Sequence, residues 1–83
     1  MAKKLIKKNV VTSDSIQYHK LNSNEYAFID LEVSKVNKWT FYVEYVKLID
    51  SENETIDTTR VSLEEFPTFL ALMQAGGWQK CDY

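Results

Sequence analysis

Two neighbouring segments of this chain alternate between apolar and polar side chains, and this alternation limits the fold more than any other feature. Between Glu25 and Ser34, one face carries Ala27, Ile29, Leu31 and Val33. Between Trp39 and Ile49, the matching face carries Trp39, Phe41, Val43 and Tyr45. Strict alternation predicts two strands. The four residues 35–38 between them predict a hairpin connection.

Weaker patterns extend the predicted sheet on both sides of this hairpin. Ile16–Leu21 alternates and predicts a strand, while Asp50–Asp57 is polar and predicts a turn. Thr55–Val61 then predicts a final strand. For residues 1–14, two interpretations stay open: an edge strand or a basic arm.

A helix start is encoded by Ser62-Leu63-Glu64-Glu65, because Ser and Glu at this spacing form a capping box. The apolar stripe that follows at helical spacing is Leu63, Phe66, Phe69, Leu70 and Met73. Gly76 suits a left-handed residue at the helix end. The sequence therefore predicts an α+β fold, in which an antiparallel sheet of about four strands precedes one C-terminal helix packed on one face. Gln79–Tyr83 predicts a short, strand-like tail.

The size of the chain predicts one domain, residues 1–83, with little surplus stability. A chain of 83 residues buries only about 60% of the surface that its unfolded form exposes. We therefore expect a homodimer. Cys81 is the only cysteine, which is typical of a reducing compartment. The absence of an apolar run of about 20 residues argues against a membrane span, so the sequence predicts a cytoplasmic protein.

Catalytic chemistry has few candidate residues in this sequence. His19 is the only histidine, and Cys81 has no partner suggested by the sequence. The acidic segment at Asp50 resembles the start of a calcium loop, but Thr55 replaces the required glycine and Val61 the required glutamate. We therefore predict no catalytic residue, no metal site, no cofactor and no enzymatic activity.

The charge balance argues against tight binding to duplex nucleic acid. The net charge is −2, and Arg60 is the only arginine. The basic residues are nevertheless uneven, because Lys3, Lys4, Lys7 and Lys8 crowd the first eight positions.

Three aromatic residues are predicted to face away from the helix, namely Tyr26, Phe28 and Tyr42. Such an open sheet face is a platform on which unpaired bases stack, at about 1–3 kcal/mol per base. The predicted phosphate contacts are Lys35, Lys38, Lys3, Lys4, Lys7, Lys8 and Arg60.

A second interpretation of the same aromatics is structural. They pair across strands, or they are buried against a second subunit or beneath residues 1–14. Asp30, Glu32 and Glu44 share their face and would repel a phosphate backbone. On the residues alone, this interpretation stands ahead of the stacking platform.

The order of the segments also carries a family resemblance. The relevant segments are Tyr26–Val33, Trp39–Leu48, the polar hairpin Asp50–Asp57, and the passage Arg60–Phe66. This layout resembles the positive-cofactor-four, Whirly and Pur-alpha group of single-stranded nucleic-acid-binding proteins. The resemblance extends from Glu25 to Gln74, about three-fifths of the chain. It implies dimerisation through the helix and sheet edge, with the strands gripping a single strand of DNA or RNA.

The sequence leaves an alternative function open, that of a small protein-binding inhibitor or adaptor of the kind that phages and mobile elements encode. Its partner would be a basic protein, for example one that itself handles nucleic acid. The contacts to that partner would come from Asp50, Glu52, Glu54 and Asp57. A purely structural role as a subunit contact is a third interpretation.

Overall fold

A computed structural model describes residues 15–81 of the chain. Its elements are β1 (Ile16–Lys20), β2 (Glu25–Val33), β3 (Trp39–Ile49), β4 (Glu52–Ser62), α1 (Phe66–Ala75) and β5 (Trp78–Lys80). The strands form an antiparallel sheet in the order β4-β3-β2-β1-β5. The predicted α+β fold is confirmed, and the described sheet has five strands instead of about four. The predictions for residues 1–14 lie outside the described residues.

The central hairpin follows the alternation in the sequence. β2 and β3 pair in one uninterrupted register, from Glu25 opposite Lys47 to Val33 opposite Trp39. The connection closes where the Ser34 N–H donates to the Lys38 carbonyl at 2.8 Å. Asn37 adopts a positive φ of 58° in this turn, a conformation that asparagine tolerates better than most residues. Both predicted strands are confirmed.

The predicted polar turn at 50–57 is wrong, because the turn contains only Asp50 and Ser51. Both residues have positive φ, 50° and 68°, as a tight two-residue hairpin turn requires. β4 therefore begins at Glu52. The strand also carries a β-bulge, since Tyr45 lies opposite Asp57 while Val46 lies opposite Thr55. Ile56 is the extra residue.

The helix begins later than the capping box predicts, because strand pairing continues as far as Ser62, which lies opposite Thr40. A turn from Ser62 to Glu65 separates strand from helix. In this turn the Glu65 N–H donates to Ser62 Oγ at 3.2 Å. Ser62 Oγ in turn donates to Glu65 Oε1 at 3.0 Å. α1 then starts at Phe66, with Pro67 in its first turn, where proline removes no helical hydrogen bond.

The left-handed residue after the helix is Gly77, not Gly76. Gly76 has φ −83°, whereas Gly77 has φ +96°. The Gly77 N–H donates to the Gln74 carbonyl at 3.2 Å. This reversal leads into β5, where Trp78 lies opposite Lys20 on β1. The strand-like character predicted for the tail is confirmed for Gln79 and Lys80.

Two apolar clusters form on opposite sides of the alternating strands. The helix cluster consists of the buried residues Tyr18, Ala27, Ile29, Val43, Val61 and Met73, with Phe41, Tyr45, Phe66, Phe69, Leu70 and Trp78 packed against them. The second cluster consists of Tyr26, Phe28, Val46 and Cys81, with Leu48 packed against them. Leu63 was predicted in the apolar stripe, but it is exposed because it lies in the turn before α1. The helix described in residues 15–81, α1, lacks the length and apolar character needed to cross a membrane.

Candidate binding site at the β2–β3 hairpin

The aromatic platform predicted from the sequence is not accessible in this structure. Tyr26 and Phe28 do face away from the helix cluster, but only 7% and 1% of their surfaces are exposed. Both rings belong to the second cluster, with Val46 and Cys81. Neither ring has a free face on which a base can stack, which corrects the predicted platform.

The surroundings of Tyr26 are those of a packed side chain. Its ring centroid lies 4.8 Å from that of His19, at an interplanar angle of 49°. Burial raises the pKa of the Tyr26 hydroxyl above its ordinary value, and the electrostatic interaction with the nearby Cys81 raises that pKa further. Both effects disfavour the charged phenolate. Tyr26 therefore acts as a core residue.

Tyr42, the third predicted stacking residue, is half-buried and already has a cationic partner. The Arg60 guanidinium carbon lies 4.9 Å from the centroid of its ring, within cation–π range. The two residues lie directly opposite each other on β3 and β4. Arg60 Nε also donates to Glu32 Oε1 at 3.1 Å. The only arginine of the chain is thus engaged by a carboxylate and a ring.

Three of the predicted phosphate-binding cations do come together, in a hollow beside the β2–β3 hairpin. This basic hollow has a volume of about 640 Å³ and is lined by Glu32, Val33, Ser34, Lys35, Lys38, Thr40 and Arg60. Glu32 is paired with Arg60. The two lysines are exposed. The other four predicted cations, Lys3, Lys4, Lys7 and Lys8, lie outside the described residues.

The same hairpin exposes an apolar surface, most of which belongs to the alternating apolar face of the two strands. This hairpin patch consists of Leu31, Val33, Val36 and Trp39, which are 54%, 52%, 73% and 50% exposed. Val33 lies opposite Trp39, and Leu31 lies opposite Phe41 of the helix cluster. The patch is therefore continuous with the core.

The different lengths of β3 and α1 are the signal from which this exposure can be inferred. The eleven residues of β3 extend about 36 Å at 3.3 Å per residue. The ten residues of α1 extend only about 15 Å at 1.5 Å per residue. A helix of that length cannot follow the whole strand, so apolar side chains at one strand end stay uncovered.

The four residues predicted to contact a basic protein partner lie at two separate places in the structure. Asp50, Glu52 and Glu54 line a hollow of about 350 Å³ with Ile49 and Asn53, at the opposite end of β3 from the hairpin patch. Asp57 lies apart from them, opposite Tyr45. Burial raises the pKa of the Tyr45 hydroxyl, and the Asp57 carboxylate raises that pKa further.

His19 is a buried structural residue. Only 4% of it is exposed, and its Nε2 donates to the Ser23 carbonyl at 2.7 Å. This bond braces the β1–β2 turn, where Asn22 has φ 60°. In the described part of the chain, no three or more His, Cys, Asp or Glu residues group in a way that could hold a metal ion.

The chain was compared with protein-family models, with curated proteins and with solved structures, and none of the three comparisons gave a match. The resemblance to the positive-cofactor-four, Whirly and Pur-alpha group therefore stays a prediction that rests on the order of the strands and the helix.

Proposed function

We propose that this chain is a non-catalytic module that binds another protein through the hairpin patch. The observation that supports this function is the concentration of four exposed apolar side chains at one end of the central hairpin. Exposed apolar residues that are scattered singly need no explanation, but a contiguous group of them is typical of a binding surface. Trp39 would be the anchor, because tryptophan is enriched among residues that dominate interface energies.

The fold explains how this surface stays available. In the proposed arrangement, α1 covers one face of the sheet and contributes Met73 to the helix cluster. The hairpin patch extends beyond the first helical residue, Phe66, on the same face. A partner that buried Leu31 and Trp39 would extend the existing apolar core, and this burial would supply the favourable free energy of binding.

The charges beside the patch indicate the chemistry of the partner. Lys35 and Lys38 are exposed at the connection that carries Val36. The carboxylate that lines the basic hollow, Glu32, is paired with Arg60. We therefore infer a partner with an apolar surface bordered by carboxylates, since complementary charges steer and orient association. The predicted contact of Asp50, Glu52 and Glu54 with a basic protein concerns the opposite end of β3 and stays a prediction.

Single-stranded nucleic acid is the second candidate ligand, and the basic hollow is the observation that favours it. Lys35, Lys38 and Arg60 line one hollow. Trp39, which is exposed, directly follows Lys38 in the sequence. Cations that follow a backbone, together with an aromatic ring, are typical of single-strand binding. Such binding would weaken steeply as the salt concentration rises.

The test compares Trp39→Ser with Ile49→Ser. Ile49 is an exposed apolar residue at the other end of the same strand, so its replacement is a matched control. Each protein is immobilised and exposed to lysate of the organism that encodes the chain. A protein retained by the wild type and by Ile49→Ser, but not by Trp39→Ser, is then purified and titrated. We expect Trp39→Ser to weaken its binding at least about tenfold. If every protein retained by the wild type is also retained by Trp39→Ser, the hairpin patch is not the binding surface.

Two further measurements separate the remaining ligands. Labelled oligo-dT that binds at low salt, and is released by Lys35→Glu with Lys38→Glu, would establish the second candidate in place of a protein partner. Light scattering tests the predicted homodimer. A wild-type dimer that becomes monomeric in Trp39→Ser would mean that a second copy of this chain occupies the hairpin patch.

A further inference from the structure

β4 lies at one end of the sheet and offers an edge for pairing. Within residues 15–81, its inner side pairs with β3 and no strand pairs with its outer side. Alternate residues of an edge strand direct their N–H and C=O groups outward, where they form a template for another strand. The first half of β4 carries Glu52, Glu54, Asp57 and the bulge at Ile56, which are features that discourage pairing. The second half, 58–62, is regular.

A groove runs beside this regular half, between β4 and α1. We call it the β4–α1 groove; its volume is about 440 Å³, and its lining residues are Arg60, Val61, Glu64, Glu65, Thr68, Phe69 and Leu72. Val61 and Phe69 belong to or pack against the helix cluster, so they form an apolar floor. Leu72 is 68% exposed, although it is a large apolar residue in the middle of a helix.

We propose that the β4–α1 groove binds an extended peptide segment of a partner protein. The segment pairs with the outer edge of β4 over residues 58–62 and inserts an apolar side chain between Val61 and Leu72. Strand addition of this kind uses main-chain hydrogen bonds for affinity and a side-chain pocket for specificity. An edge strand and an apolar groove that share the residues 60–61 supply both requirements at one place.

The charges around the groove determine which residue flanks the apolar anchor. Arg60 is held by Glu32 and by the Tyr42 ring. Glu65 accepts a hydrogen bond from Ser62 Oγ, which leaves its negative charge in place. Glu64 is exposed and has no ion pair within the described residues. The uncompensated charge of the groove is therefore negative, so the peptide carries a lysine or arginine next to its anchor.

This site shares no residue with the hairpin patch and does not depend on the function proposed for that patch. The test uses the full chain and a phage-displayed library of random dodecapeptides, with counter-selection against Leu72→Asp. We expect the selected peptides to share an apolar residue flanked by lysine or arginine. A synthetic copy of one selected peptide, labelled with fluorescein, then serves as the probe for anisotropy titrations.

The variants are chosen so that folding and binding are separable. Leu72→Asp should weaken the binding of the peptide at least about tenfold, as the loss of an anchor contact does. Leu63→Asp is the matched control, because Leu63 is an exposed leucine in the preceding turn that does not line the groove. It should leave the affinity within about twofold, as changes outside the central contacts do. Glu64→Lys should weaken the binding of the basic peptide, while Trp39→Ser should leave this binding unchanged.

Hydrogen exchange on the wild-type protein tests the strand pairing directly and needs no variant. Bound peptide should slow the exchange of alternate amides in 58–62. Peptides that bind without this protection overturn strand addition. Failure to select any peptide that distinguishes the wild type from Leu72→Asp overturns the proposal as a whole. So does a dimer, detected by light scattering, that pairs through β4 and becomes monomeric in Leu72→Asp, because the occupant is then a second copy of this chain.

Discussion

The rings of Phe41 and Phe66 stack with their centroids 3.6 Å apart and their planes 14° from parallel. Phe41 lies on β3, next to the edge strand β4, and Phe66 is the first residue of α1. The ring of Phe66 is also stacked on that of Phe69, one turn further along, at 6.3 Å. This contact therefore joins the start of the helix to the hairpin end of β3, at the border between the helix cluster and the hairpin patch.

We expect Phe66→Ala to lower the free energy of unfolding by about 3 kcal/mol, the lower end for a phenylalanine, because Phe66 is only half-buried. Urea denaturation monitored by circular dichroism measures this change. Leu63→Ala is the control, and it should change stability by less than about 0.5 kcal/mol because Leu63 is exposed. Equal effects of the two variants would mean that the stack does not anchor the helix.

The two consecutive glycines after α1 should respond differently to alanine. Gly77 has φ +96°, a conformation that an L side chain rarely adopts. No atom lies within 4 Å of a Cβ placed there, so the loss comes from the backbone alone. Gly77→Ala should reduce stability by about 1–2 kcal/mol. Gly76→Ala, at φ −83°, should stay within about 0.5 kcal/mol of the wild type. Thermal unfolding of the pair checks this, and equal losses would contradict it.

The raised pKa of the Tyr45 hydroxyl makes the protein less stable in alkaline solution. Burial first, and the Asp57 carboxylate second, raise this pKa above the ordinary value of 10.0. The unfolded chain therefore releases the proton at a lower pH than the folded chain does. The stability is fully present below pH 10.0 and is lost as pH rises through the folded-state pKa.

Tyr45→Phe keeps the ring and removes the titrating hydroxyl, so we expect its stability to fall less steeply with pH than that of the wild type. Urea midpoints measured from about pH 9 to about pH 11 give the two slopes. A tyrosinate titration followed by ultraviolet absorbance should also lose one of the late steps. Parallel slopes for the two proteins would show that Tyr45 titrates alike in the folded and unfolded chains.

The Arg60–Glu32 ion pair contributes little to stability but restrains the only arginine. Both side chains are substantially exposed, 63% and 40%. Glu32→Gln should therefore change the free energy of unfolding by less than about 1 kcal/mol. If single-stranded nucleic acid is the ligand, the released Arg60 should strengthen the binding of labelled oligo-dT at low salt.

Glu44→Gln is the matched control for that measurement. It removes the same charge from the same sheet face, but Glu44 accepts a hydrogen bond from Thr55 and does not contact Arg60. An equal gain in oligo-dT affinity for both variants would indicate a general charge effect. An unchanged affinity in both would leave Arg60 without a role in nucleic-acid binding.

Strands β2 and β3 were predictable from the sequence because their alternation is long and uninterrupted. The assignment of Ala27 and Ile29 to one side and Phe28 to the other also follows from the two-residue period. The burial of Phe28 could not be predicted in this way. Alternation tells which side of a sheet a residue occupies, but it does not tell whether that side is covered.

The start of β4 was hidden because Glu52–Asp57 has the composition of a loop. Strand pairing overrides that preference, since the tight turn at Asp50 and Ser51 aligns the following residues with β3. The edge position of β5 could not be predicted from the sequence either, because its three residues are too few to show an alternating pattern. The hairpin patch was missed because Leu31 and Trp39 continue the pattern of the core beyond the reach of α1.

The bulge at Ile56 gives β4 one residue more than β3 needs between the pairs Val46–Thr55 and Phe41–Val61. A single deletion between Thr55 and Val61 can therefore be absorbed if the strand straightens, and Val61 still reaches the core. β2 and β3 pair without such a spare residue, so a deletion there would turn every later side chain to the other face. Natural length variation in this sheet should therefore concentrate in β4 and in the turns, with β2 and β3 constant in length.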